Sequence, residues 1–160
     1  MPINSYPFRV SAECPFNKPL VPVVLYNPAN DFSYETWGLI DTGADMTCIP
    51  EYIAKALYHD VRSHKAKKDM SSGIGGDVKV YMHTFSLDVL HSDSNGKVDL
   101  NKFAIRIPKR EFAVVPNLHM VILGEKDFLK DYVLTIDYPG KKFSLKKPAK
   151  PAKQFHKVIS

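Results

Sequence analysis

Up to residue 145 the chain alternates short apolar runs with turn residues, and only two short stretches carry a helical pattern. Residues 21–26 are rich in β-branched side chains and read as a strand. Pro22 suits an edge strand or a strand beginning, because proline cannot donate a ladder hydrogen bond. Residues 36–40 form a further strand that stops abruptly at Asp41-Thr42-Gly43. After the short apolar Thr47-Cys48-Ile49, Pro50 opens residues 50–57 as a short helix with proline in its first turn, and residues 59–70 are polar and irregular. From Lys79 onward Tyr81, Phe85, Leu87 and Val89 recur with period two, broken only at His83, which marks a half-buried strand. Asn95-Gly96 supplies a hairpin turn, and Phe103, Ile105 and Ile107 alternate on the return strand. Residues 112–115 and 120–123 are unbroken apolar runs of strand length, and residues 125–130 can hold one or two helical turns. Residues 132–137, the Tyr138-Pro139-Gly140 turn and residues 143–145 read as a closing hairpin. About eight to ten short strands with this punctuation predict an all-β barrel or sandwich.

A length of 160 residues suits one domain with its own core and is too short for two ordinary ones. Hydrophobic residues at 44% and charged residues at 24% exclude a wholly disordered or fibrous chain. No apolar run reaches bilayer-spanning length, and residues 1–10 lack the pattern of a secretory signal, so no membrane partner and a cytoplasmic location are expected. Cys14 and Cys48 cannot build a disulfide framework and are expected as thiols. The net charge of +5 belongs to the end of the chain: residues 141–160 hold seven lysines and no acid, and without them residues 1–140 carry −2. The body therefore has no basic stripe, which argues against nucleic-acid binding. The Lys/Pro/Ala-rich residues 146–153 are expected to be a solvated, extended tail, with contact to an acidic partner as the lesser alternative. This divides the chain into an N-terminal arm (1–20), a folded domain (21–145) and a basic tail (146–160).

Asp41 stands where a buried apolar strand turns, followed by Thr42, which can hydrogen-bond back into the turn, and by the small, φ-permissive Gly43. Taken alone, the tripeptide is a turn that satisfies its own backbone donors. Its surroundings change the reading. The run Gly38-Leu39-Ile40-Asp41-Thr42-Gly43-Ala44-Asp45-Met46-Thr47-Cys48-Ile49 resembles the active-site segment of retropepsin-like aspartic proteases. In that family two apolar residues precede Asp-Thr-Gly-Ala, and another follows some six positions after the Asp. Ser72-Gly73-Ile74-Gly75-Gly76 resembles the family's glycine-rich flap. Val121-Ile122-Leu123-Gly124-Glu125-Lys126-Asp127-Phe128-Leu129 is similar to its second signature, an apolar run ending in Gly at the start of a short helix. The resemblance covers about residues 21–145 and is nearer to non-viral, bacterial-type members. Viral members carry Arg or Asn after the glycine that corresponds to Gly124, and the hairpin loop at residues 91–101 is longer here.

The resemblance implies a closed all-β barrel with one or two short helices, and an aspartic endopeptidase acting on a polypeptide with no cofactor and no metal. It implies Asp41, Thr42 and Gly43 as the catalytic group, and Ala44, Asp45, Gly73, Ile74, Gly75 and Gly76 as substrate-binding residues. The carboxylate chemistry has a physical basis. Two carboxyl groups a few ångströms apart hold one proton between them and so supply a base and an acid in one site. With one Asp-Thr-Gly per chain, such a site requires a homodimer with Asp41 of each copy at a two-fold axis. Leu39, Ile74 and Val121 are expected to help line apolar pockets, Cys48 to be a small core residue, Asp45 a turn cap or supporting group, and Asp127 and Asp137 polar residues of a helix and a turn. The histidines (His59, His64, His83, His91, His119, His156) are scattered without a metal-ligand spacing, and no Gly-x-Ser-x-Gly elbow is present. The alternative is a non-catalytic peptide-binding or dimerisation module of the same fold.

Overall fold

The computed structural model describes residues 3–73 and 75–149. Ten strands carry the fold: β1 (Ile3–Pro7), β2 (Leu20–Tyr26), β3 (Ser33–Ile40), β4 (Cys48–Pro50), β5 (Lys67–Gly73), β6 (Gly76–Ser92), β7 (Val98–Val115), β8 (Val121–Leu123), β9 (Val133–Asp137) and β10 (Lys142–Lys146). The only α-helix among the described residues is α1 (Glu51–Ala56), and a single 3-10 turn occupies Leu129–Asp131. Residues 125–130, expected as one or two helical turns, deliver only the turns leading into that 3-10 piece.

Strands β2, β3, β8, β4, β7 and β6 are hydrogen-bonded in that order, and β6 returns to β2, so six strands close into a barrel. This resolves the choice between barrel and sandwich: the fold is all-β and closed. The β3–β8 and β4–β7 pairs are parallel, and β4 also meets β8 at Cys48 and Ile122. Phe85, Phe112, Phe128, Leu25, Ile49 and Leu87 are among the fully buried side chains of one continuous core. Burial of aliphatic and aromatic side chains on this scale, each contributing about 1.5–3 kcal/mol, drives the closure.

Three features differ from the sequence expectation. First, β2 is not an edge strand. It pairs with β3 along its whole length and with β6 from Val23 to Tyr26, and Pro22 falls just before the β6 pairing begins, where no ladder donor is required. Second, the two apolar stretches at 103–107 and 112–115 belong to one 18-residue strand. Between them the register to β6 shifts, with Phe85 opposite Arg110 but Leu87 opposite Ile107, so a bulge takes up Pro108 without ending the strand. Third, part of the N-terminal arm is built into the fold. Strand β1 pairs antiparallel with β10, which pairs with β9, and Ile3, Tyr6 and Phe8 are buried.

The site-bearing parts follow from this ring. Strand β6 is long enough to serve the barrel with its second half and to project with its first half, where it pairs with β5 from Lys67–Met82 to Gly73–Gly76. Among the described residues no helix is long and apolar enough to cross a membrane, and no cluster of three or more His, Cys, Asp and Glu side chains is placed to hold a metal.

Candidate active site

Asp41 follows the last residue of β3, at the point where β3 runs parallel to β8. Its amide donates to the Leu123 carbonyl at 3.1 Å, which fixes the start of the turn to the end of β8. Its Oδ1 accepts the Gly43 amide at 2.8 Å, an Asx-type turn that orients the carboxylate with its backbone half satisfied. A side chain at Gly43 would place its Cβ 3.2 Å from that same oxygen, so glycine serves here by leaving space; its φ is not positive.

The 41–47 loop is clamped along its length to the segment after β8. Glu125 and Lys126 amides donate to the Ala44 and Asp45 carbonyls, each at 2.9 Å. The Asp127 carboxylate accepts from the Thr47 amide at 2.9 Å and from Thr47 Oγ1 at 2.6 Å, while that hydroxyl accepts the Gly124 amide at 3.1 Å. Arg110 reaches from β7 to donate to the Asp127 carbonyl. Gly124 is required by contact: a Cβ there would lie 2.3 Å from the Met46 carbonyl carbon. Thr47 and Asp127 were not legible as site residues. Their signal is positional, since Thr47 follows Asp41 by six and Asp127 follows Gly124 by three.

A cavity of about 640 Å³ opens in front of Asp41. The loop supplies Asp41, Gly43, Ala44 and Asp45, and the β5–β6 hairpin supplies Gly73, Gly75 and Gly76 from its tip. These seven expected residues are therefore brought together round one space. Thr42 is exposed and does not line it, and Ile74 lies outside the described residues. At the tip Gly73 pairs with Gly76, Ser72 Oγ donates to Asp77 at 2.6 Å, and Gly76 alone of the three glycines has a positive φ, of 99°. A Cβ on any of the three would meet nothing within 4 Å, so the tip stands free of the barrel.

The apolar lining differs from expectation in detail. Val121 is fully buried in the core and Leu39 does not reach the cavity, whereas Ile122, pointing the other way on β8, does. Met46, Met70, Val115 and Leu118 complete an apolar wall that sequence reading did not identify. Cys48 also faces the cavity instead of the core. Burial, with the Asp127 and Asp41 charges adding to it, pushes its thiol up to about 11, so it stays protonated near neutral pH and is no nucleophile. Asp45 is exposed and pairs with Lys126 only at 3.5 Å in solvent, a contact worth little.

The arrangement thus offers one half-buried carboxylate on the lining of an open cavity of mixed polar and apolar character, bordered by a glycine-rich hairpin. No family model and no curated protein matches the chain. Among solved structures it is similar to one described as EIAV protease complexed with the inhibitor HBY-793, with 20% sequence identity over 67% of this chain and 81% of that chain, and a TM-score of 0.43.

Proposed function

We propose that the protein is a retropepsin-like aspartic endopeptidase that works as a homodimer. The observation that carries this reading is that Asp41 lines the same cavity as the tip of the β5–β6 hairpin. A peptide in extended form suits a space with one side made by a strand hairpin, whose backbone groups can pair with it. Two Asp41 carboxyl groups, one from each copy, hold a single proton and a water between them. The unprotonated carboxylate takes a proton from the water as its oxygen bonds to the scissile carbonyl carbon. The tetrahedral product then collapses with cleavage of the C–N bond, and the shared proton passes to the departing nitrogen. Closure of the hairpin excludes bulk water and supports the charge changes at the dyad. Gly43 leaves the carboxylate accessible, Ala44 and Asp45 border the bound peptide, and exposed Thr42 is free to meet its counterpart across the axis.

The test compares wild type with Asp41→Asn, each sized by light scattering and then incubated with a diverse peptide pool between about pH 4 and pH 7, with products read by mass spectrometry. Products from a dimeric wild type alone support the reading. Equal cleavage by both proteins sinks it. A single chain carries only one Asp41, and this favours one alternative, a peptide-binding module of the same fold; binding of pool peptides by both proteins without cleavage would establish that module instead.

A further inference from the structure

Outside the cavity, one half-buried titratable group holds a buried nitrogen that has no partner. His59 lies just after α1, with its ring 4.3 Å from Phe85 and 5.1 Å from His83, both on β6. Its Nε2 is buried with no hydrogen-bond partner, the one such side-chain atom among the described residues. His83 is anchored: its Nε2 lies 3.0 Å from the Val61 carbonyl, which can only accept, so that nitrogen carries the hydrogen. The His59 amide donates to the Ala54 carbonyl at 3.0 Å, and the Leu57 carbonyl accepts from the side chains of Asn27 and Asn30. The two histidines therefore join the 58–66 connection to β6. They do so at the base of the projecting hairpin, where Met82 beside His83 pairs with Lys67, the first residue of β5.

We propose that His59 and His83 form an acid-sensitive latch, which holds the 58–66 connection against β6 while His59 is neutral and releases it, with the base of the β5–β6 hairpin, when His59 is protonated. A neutral ring tolerates the contact with Phe85; an imidazolium there would keep a charged N–H at the buried Nε2 with no acceptor and only partial hydration of the ring. Burial, reinforced by His83, lowers the His59 imidazole to about 4 from its ordinary 6.5. The other titratable groups around it are Tyr58 and Asp60 on its own segment and Lys109 on β7, which line the same shallow groove. Lys109 opposes protonation of His59 and Asp60 favours it, and neither is hydrogen-bonded to the buried Nε2. The sign follows from linkage. Once released, His59 titrates near 6.5, so the open form binds more protons than the closed form between about pH 4 and pH 6.5, and opening grows as pH falls through that window.

Hydrogen exchange at about pH 7.5 and pH 5, corrected for intrinsic rates, tests the latch in wild type and His59→Phe. Wild type is expected to lose roughly tenfold in protection on acidification within residues 58–73, and His59→Phe less than about twofold. Unchanged wild-type protection, an equal loss in His59→Phe, or a loss spread evenly over the barrel would overturn the proposal. If His59→Phe does not fold, the His59 ring is titrated by NMR in wild type, assigned by difference from His59→Gln. A value below about 5 supports the latch and one near 6.5 overturns it. Neither readout requires catalysis, so the latch stands or falls apart from the peptidase reading.

Discussion

Thr47 spends both functions of its hydroxyl on the clamp behind Asp41, donating to Asp127 and accepting from the Gly124 amide. Thr47→Val keeps the shape but leaves the buried Gly124 amide without its acceptor and one Asp127 oxygen short of a donor. A loss of about 1–3 kcal/mol is expected in urea unfolding, largely restored in Thr47→Ser. Gly124→Ala is expected to be at least as damaging. Its methyl meets the Met46 backbone, which cannot swing aside as a side chain can, and overpacking of that kind costs about 1–3 kcal/mol or more. An unfolding midpoint within error of wild type would refute either claim. Asp41 and Gly43 were legible in the sequence because their geometry is local, two residues apart within one turn. Asp127 read as an ordinary polar residue of a short helix because what defines it is a partner 80 positions away.

Elements joined by neighbouring residues were read well, and those shaped by distant pairing were not. The period-two pattern located β6 and the second half of the chain's long hairpin, but the polar residues 67–72 gave no sign that they form β5. Those residues are mostly exposed on both faces of a projecting ribbon, so neither an apolar alternation nor a buried run could develop. The helix α1 carries a prediction of its own. Glu51 in its first turn takes two hydrogen bonds from Arg62, at 3.1 and 3.0 Å, and lies 3.0 Å from Lys55. Hydrogen bonding by Arg62, with help from Lys55, holds the Glu51 carboxyl down at about 2. A carboxyl lowered in this way stabilises the fold fully above about 4.5 and loses that contribution as pH falls toward about 2. Glu51→Gln is therefore expected to flatten the thermal-stability profile across that acid limb while changing it little in slope near neutrality. A wild-type-like slope between about pH 2 and pH 4.5 would contradict the assignment. The limb overlaps the His59 window only between about pH 4 and pH 4.5, so the two effects are read apart below about pH 4 and above about pH 4.5.

At the scale of the whole molecule, barrel closure and assembly have different standing in the sequence. Closure rests on β2 meeting β6, residues some sixty positions apart, and strand patterns alone left barrel and sandwich equally open. Assembly is a matter of arithmetic: the proposed chemistry needs two carboxyl groups, and each chain brings one Asp41 to its cavity. That requirement can be tested without knowing the interface, by mixing. If active sites are shared between exchanging copies, adding an equal amount of Asp41→Asn chain to a fixed amount of wild type is expected to lower activity to about half, by random assortment into mixed dimers. A threefold excess is expected to lower it to about a quarter, and dilution should lower wild-type specific activity as dimers dissociate. An enzyme whose single chain sufficed would ignore the added variant at every ratio. That result would remove the shared dyad and force a search for a second acid within one cavity, where, among the described residues, Asp45 is the only other carboxylate on the lining.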